Sequence, residues 1–65
     1  MEQISEFMHS PVSVKTHCGS IYEGTLLAID QYLNVVLQNA TVNADIKKGF
    51  LFVKGSNILL LTLIE

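Results

Sequence analysis

The stretch from Ile58 to Ile64 constrains the fold of this chain more than any other feature, because it is apolar at every position except Thr62. Successive side chains of an extended strand point to opposite faces, so this stretch would be apolar on both sides. One face would carry Ile58, Leu60 and Ile64, and the other Leu59, Leu61 and Leu63. A strand with one face in water does not tolerate this pattern, and at an open sheet edge it would promote aggregation. The segment therefore predicts a final strand that a neighbouring subunit covers.

The length of the chain also favours assembly. Its 65 residues leave room for a single domain, residues 1–65. A chain of this size buries only about 60% of its unfolded surface, so the isolated fold should be marginally stable. Cys18 is the only cysteine, and no Cys/His spacing resembles a zinc site, so neither disulfides nor a structural metal are expected. Oligomerisation is the remaining source of stability, and no cofactor is predicted.

The period of the apolar residues predicts one short helix followed by a strand. Ile4, Phe7 and Met8 have the spacing of one helical face, which predicts a helix over residues 2–8, and Pro11 ends it soon afterwards. Residues 12–15 then alternate between apolar and polar, as in a half-buried strand.

Four more strands are predicted, separated by turns. The second strand covers Ile21 to Ile29 and contains Gly24, where a lone glycine indicates a bend or bulge. The others are predicted at residues 32–37, 50–53 and 58–64. Residues 38–48 are interpreted as a variable connection, although Val42 and Ile46 could extend the flanking strands. This order predicts an all-β fold with one short N-terminal helix: a strongly bent, five-stranded antiparallel sheet or small barrel.

Charge and motif content limit the function classes. The formal net charge of −2 argues against a protein that holds nucleic acid mainly by neutralising phosphates, because that requires clustered lysine and arginine. No phosphate-binding glycine loop or nucleophile elbow is present. His17 and Cys18 are adjacent, would point to opposite faces of an extended chain, and are interpreted as part of a surface loop. An enzyme is not expected, and RNA, if bound, would be recognised through its bases.

Two segments resemble the paired signatures of the Sm/Lsm family of RNA-binding proteins. The first spans residues 11–37 and includes the run Ile29-Asp30-Gln31-Tyr32-Leu33-Asn34-Val35. The second, Phe52-Val53-Lys54-Gly55-Ser56-Asn57-Ile58, is similar to a motif that usually reads Ile-Arg-Gly followed by a polar and an aliphatic residue. Within the family, the chain looks closest to the eukaryotic Lsm paralogues, the sixth and then the second member, with archaeal Sm-like proteins as the alternative.

The resemblance implies the Sm fold, a ring that generally has seven subunits, and uridine-rich RNA at its central pore. The fourth strand of one subunit would pair with the fifth of the next. Tyr32 matches the position that stacks on a base, and Asn34 matches the amide that hydrogen-bonds to the base edge. Asp30 would hold that amide in place. Lys54 stands where the family usually has an arginine, whose planar group a lysine does not reproduce, and Gly55 stands where the backbone approaches closely.

Two functions remain open at this point. In the first, the chain is a ring subunit that binds uridine-rich single-stranded RNA in mRNA decay or in pre-mRNA splicing within a small nuclear ribonucleoprotein. In the second, it is a scaffold or interaction subunit without RNA contact of its own. Its ring partners would be other Sm-like subunits in a hetero-heptamer, and in isolation it could form a homo-oligomer.

The expected location follows from the absence of targeting features in the sequence. The start of the chain is acidic, and its longest apolar run is far shorter than the ~20 residues needed to cross a bilayer. We therefore expect a soluble intracellular protein without membrane contact, in the nucleus and the cytoplasm if the source is eukaryotic.

Overall fold

A computed structural model describes residues 7–64, which form five strands and one short 3-10 helix. The strands are β1 (Pro11–Thr16), β2 (Ile21–Ile29), β3 (Val35–Val42), β4 (Ile46–Val53) and β5 (Ile58–Leu63), and the 3-10 helix is Gly55–Asn57. All strands belong to one antiparallel sheet in the order β4-β3-β2-β1-β5. The predicted five-stranded antiparallel fold is confirmed. Within residues 7–64, no helix has the length and apolar character needed to span a membrane.

The predicted helix over residues 2–8 lies mostly outside the described residues. Of its apolar face, Phe7 and Met8 lie in the described part, where Phe7 begins a turn and both side chains pack against the core. The turn closes with a hydrogen bond from the Ser10 amide to the Phe7 carbonyl, 3.1 Å long. These residues therefore cover one side of the core before β1 begins.

The core consists of apolar side chains that alternate along β1 and β3, together with one residue each from β2 and β4. Its buried members are Val12, Val14, Leu26, Val35, Leu37, Ala40 and Val53. The period of two in β1 follows the alternation seen in the sequence. Within residues 7–64 the buried core thus consists of seven small and medium side chains, with further partly buried apolar residues packed against it.

The bend predicted at Gly24 coincides with an irregularity between β2 and β3. The pairing of these strands shifts between Glu23 and Thr25, because β3 contains an extra residue, Asn39, whose φ is 53°. A Cβ atom on Gly24 would lie 2.9 Å from the carbonyl oxygen of Gln38, too close for any real side chain. The two strands can therefore approach each other only because this position is a glycine.

The hairpin of β3 and β4 differs from the prediction. The third strand begins at Val35 rather than Tyr32, and most of residues 38–48 belongs to the two strands instead of a variable connection. The connection is short because Asn43 and Ala44 adopt φ values of 53° and 61°, the arrangement of a type I′ hairpin turn. The sequence gives a weak signal for this turn, since alanine rarely adopts a positive φ.

The two outer strands of the sheet, β4 and β5, each have a free edge. Along β5 the register with β1 shifts between Lys15 and Thr16, because β5 carries one extra residue there. Ile58 and Leu61 consequently both pack against the core, and their predicted placement on opposite faces was wrong. The side chains that remain exposed on or just after β5 include Leu59, Leu60, Leu63 and Ile64.

The β4 edge also carries exposed apolar side chains. Phe50 and Phe52 are 65% and 62% exposed, which is unusual for aromatic side chains. Exposed apolar residues on an edge strand are typical of a surface that pairs with another chain. Both strands that the family resemblance pairs between subunits, β4 and β5, therefore carry exposed apolar side chains.

Candidate nucleic-acid interface

Two loops meet at one end of the sheet. Residues 30–34 connect β2 to β3, and residues 54–57 connect β4 to β5. They are neighbours because Val35, at the start of β3, pairs with Val53, at the end of β4. The five residues predicted as an RNA site, Asp30, Tyr32, Asn34, Lys54 and Gly55, all lie in this pair of loops.

Asp30 organises the first loop by accepting three hydrogen bonds. Its Oδ1 accepts from the backbone N–H groups of Tyr32 at 2.8 Å and Asn34 at 3.0 Å, and its Oδ2 accepts from the Asn34 side-chain Nδ2 at 2.9 Å. The backbone N–H of Leu33 donates to the Asp30 carbonyl at 3.0 Å, which holds Leu33 at a φ of 64°. An exposed loop is thus given one defined shape, and the predicted contact between Asp30 and the Asn34 amide is present.

Asn34 joins the two loops. Its Oδ1 accepts a hydrogen bond of 2.7 Å from the backbone N–H of Gly55, while its Nδ2 donates to Asp30. These two partners fix which side of the amide carries the oxygen. The amide retains one N–H and one oxygen lone pair beyond these two bonds, so it can still offer a donor and an acceptor to a ligand. The bond to Gly55 was not predicted, because nothing in the sequence indicates its partner.

Gly55 permits the close contact between the loops. A Cβ atom there would lie 2.8 Å from the carbonyl carbon of Leu33 and closer still to the carbonyl oxygen of Tyr32. Both are backbone atoms, which cannot rotate away as a flexible side chain could. The family resemblance implied a close backbone approach at this glycine, and in the structure the backbone of residues 32 and 33 makes that approach.

The Tyr32 ring and the Lys54 side chain face solvent beside this bridge. Tyr32 is 71% exposed, and its hydrogen bond to Asp30 uses only the backbone. Lys54 is exposed, and its carbonyl accepts a hydrogen bond from the Asn57 N–H at 2.9 Å. The site therefore offers an accessible aromatic face, a fixed amide and an exposed positive charge.

The hydrogen bonds to Asp30 also set its protonation. The Asn34 side chain, followed by the backbone N–H groups of Asn34 and Tyr32, holds the pKa of Asp30 below its ordinary value of 3.8. A carboxyl group whose pKa is lower in the folded state stabilises that state above the unfolded pKa, and this contribution is lost as the pH falls through the folded pKa. We therefore expect the loop to keep one shape between about pH 5 and 8 and to loosen only in acid.

Carbon-13 NMR titration of the Asp30 carboxyl measures this shift directly. The pKa should lie below 3.8 in the parent protein and rise toward that value in the Asn34→Ala variant, which lacks the side-chain donor that lowers the pKa most. Equal pKa values in the two proteins would show that the amide does not hold the carboxylate.

The other chemically notable residues form no site in the described part of the chain. His17 and Cys18 are exposed in the turn after β1, as the predicted surface loop requires. The Cys18 thiol lies 3.1 Å from the Thr16 hydroxyl, and this hydrogen bond is the main cause that lowers its pKa. Among residues 7–64, no group of three or more His, Cys, Asp or Glu residues could hold a metal ion.

The LSM domain family matches residues 2–63. The U6 snRNA-associated Sm-like protein LSm6 of Aspergillus clavatus is 35% identical over 60 residues, which cover 86% of this chain and 77% of that protein. Another LSm6 protein, from Ajellomyces capsulatus, is 37% identical over 60 residues, with 86% and 75% of the two chains covered.

Solved structures share the fold. A Sm-like archaeal protein from Pyrobaculum aerophilum superimposes with a TM-score of 0.92 and 30% identity over 98% of this chain, which spans only 50% of that longer protein. The Pyrococcus abyssii Sm protein, solved in complex with a uridine heptamer, gives a TM-score of 0.90 at 25% identity, with 97% and 94% of the two chains covered.

Proposed function

This chain belongs to the LSM domain family, and we propose that it is a ring-forming Sm-like subunit that binds uridine-rich single-stranded RNA through residues 30–34 and 54–57. One observation carries the proposal. The Asn34 amide is fixed between Asp30 and the Gly55 N–H, with a donor and an acceptor still free beside the exposed ring of Tyr32. These groups suit the recognition of a base edge.

The aromatic ring and the amide have different roles: stacking on Tyr32 supplies affinity, and hydrogen bonds to Asn34 supply selectivity. Stacking a base on an aromatic ring contributes about 1–3 kcal/mol and is available to every base. Selectivity must come from the amide. Uracil and cytosine expose a donor and an acceptor in opposite order, so an amide whose orientation is fixed can match one of them and oppose the other. Because Asp30 and Gly55 fix the amide, Asn34 is the residue that we propose selects uridine.

The ring is supported by the two free edges of the sheet. β4 of one subunit and β5 of the next would pair head to tail, and repetition of that contact closes a ring when the rotation per subunit divides the circle. We propose seven subunits, as the family resemblance implies. The partners would be other Sm-like subunits in a mixed ring, with a homo-oligomer when the chain is alone.

The biological setting is proposed from the relatives. Several similar proteins are named as U6 snRNA-associated, which supports a role in RNA processing in the nucleus. We propose pre-mRNA splicing through a small nuclear RNA as one setting and cytoplasmic mRNA decay as the other. A subunit that only builds the ring and contacts no RNA is the competing function.

Binding of two RNAs of equal length and charge tests the proposal. Fluorescence anisotropy with uridine and cytidine heptamers should give roughly 5- to 150-fold tighter binding of the uridine heptamer, since a mismatched base leaves polar groups unsatisfied at a cost of about 1–3 kcal/mol. Affinity for the uridine heptamer should fall only gently with salt, because bases carry the recognition. Equal, weak binding of both RNAs would favour the scaffold function.

A further inference from the structure

A second polar region lies on the β3–β4 hairpin, away from the two loops. It is a cavity of about 420 Å³ lined by Asn39, Ala40, Thr41, Lys47, Lys48 and Gly49. We refer to these six residues as the lysine groove. The sequence did not predict this cavity, because residues 38–48 were interpreted as a connection and not as parts of two strands.

The groove concentrates positive charge in an acidic protein. Lys47 and Lys48 are two of the four basic residues of the chain, and within residues 7–64 neither is joined to a carboxylate by an ion pair. Both are exposed, and Asn39 and Thr41 add polar groups to the lining. Gly49 leaves the groove open, since an added Cβ would meet nothing within 4 Å. These groups suit an anion that is too large to be enclosed, such as a phosphodiester backbone.

The groove lies along the same strands that carry the base site. Lys48 pairs with Ala40, which is five positions along β3 from Val35, the residue next to the candidate site. At about 3.3 Å per residue the separation is roughly 16 Å. The exposed apolar side chains Phe50 and Phe52 lie between the two regions on β4, and the two lysines lie nearer the start of that strand.

We propose that the lysine groove is a second RNA contact, which binds the phosphates of a strand that extends beyond the base site. This inference rests on the proposed function, because one RNA must reach both regions. It also fits the net charge of −2, since two local lysines can attract phosphates although the whole protein is acidic. RNA is favoured over an acidic peptide because only RNA would engage the base site and the groove with a single molecule.

The proposal predicts that the groove matters for long RNA and not for short RNA. The Lys47→Gln/Lys48→Gln double variant should weaken binding of a uridine 20-mer about tenfold and leave binding of the uridine heptamer unchanged. For the 20-mer, the slope of log affinity against log salt should become shallower by about 1.4, since each phosphate contact on a single strand contributes about 0.7. The matched control is Lys15→Gln, which removes an exposed lysine of β1 and should alter neither RNA.

The experiment separates this inference from the proposed function. If the heptamer binds and the double variant holds the 20-mer as tightly as the parent, the groove proposal is wrong and the base site stands. If the heptamer does not bind but the 20-mer binds through the two lysines, the groove stands and the base site is wrong. If neither RNA binds, both fail. A polyglutamate peptide that binds as tightly as the 20-mer, with the same dependence on the lysines, would overturn the assignment to RNA.

Discussion

Replacement of Gly55 by alanine is expected to lower the free energy of unfolding by about 3 kcal/mol, the upper part of the usual range for overpacking. The added methyl group would overlap the Tyr32 carbonyl oxygen and lie 2.8 Å from the Leu33 carbonyl carbon. Relief requires the two loops to separate, which would also break the hydrogen bond from the Gly55 N–H to Asn34. Uridine binding should therefore be lost together with stability. Urea unfolding at matched protein concentration measures the first effect, and anisotropy with the uridine heptamer measures the second.

Gly49→Ala is the matched control for this variant. It makes the same chemical change on β4, where the added Cβ would meet nothing within 4 Å. Alanine is favoured over glycine by about 0.5–1 kcal/mol inside a strand, so this control should be neutral or slightly stabilising. If the two variants unfolded at the same urea concentration, the close contact between the loops would not be a feature of the folded protein.

Tyr32→Ala is expected to weaken RNA binding strongly and to leave the fold almost unchanged. Each lost base stack costs about 1–3 kcal/mol, and a uridine heptamer that occupies several subunits of a ring loses one stack at each. A decrease in affinity of at least 100-fold should follow, measured by anisotropy. Because the Tyr32 side chain is 71% exposed and its hydrogen bond to Asp30 uses the backbone, ring assembly and unfolding should match the parent.

Tyr32→Phe serves as its control. It keeps the aromatic face and removes only the hydroxyl, so affinity should stay within about twofold of the parent if stacking is the contact. Retention of tight uridine binding by Tyr32→Ala, with assembly intact by native mass spectrometry, would remove Tyr32 from the site. Asn34→Ala is a poorer probe, because it deletes the bridge between the loops and would change stability and binding together.

The sequence predicted the parts of the fold that depend on local pattern. β2 begins and ends at the predicted residues, Ile21 and Ile29, because β-branched and aromatic residues fill it and turn residues flank it. The irregularity at Gly24 was also predictable, since a lone glycine inside a strand usually marks a bulge, a bend or a close backbone approach. The motif residues of both loops could be named from the resemblance, and the structure places them together. Their role in RNA binding remains a prediction.

The parts that could not be predicted depend on residues that are distant in sequence or that occupy rare conformations. The face assignment of β5 failed because its extra residue is defined only by pairing with Lys15 and Thr16 of β1. The β3–β4 hairpin was missed because its turn places Ala44 at a positive φ, which propensity disfavours. The lysine groove lies between the two strands of that hairpin. Because the hairpin was not predicted, the groove could not be predicted either. The hydrogen bond between Asn34 and Gly55 joins residues 21 positions apart, and no local sequence pattern indicates it.

A sheet with two unpaired edges, each carrying exposed apolar side chains, makes subunit concentration a thermodynamic variable of this protein. If each copy is completed by its neighbours, folding and association are one equilibrium, and mass action alone moves it. An RNA strand that spans several subunits would then act as a tether, raising the effective concentration of each copy around the others. Dilution and loss of RNA would thus both lower the stability of the assembled native state, because each lowers the concentration of subunits around one another.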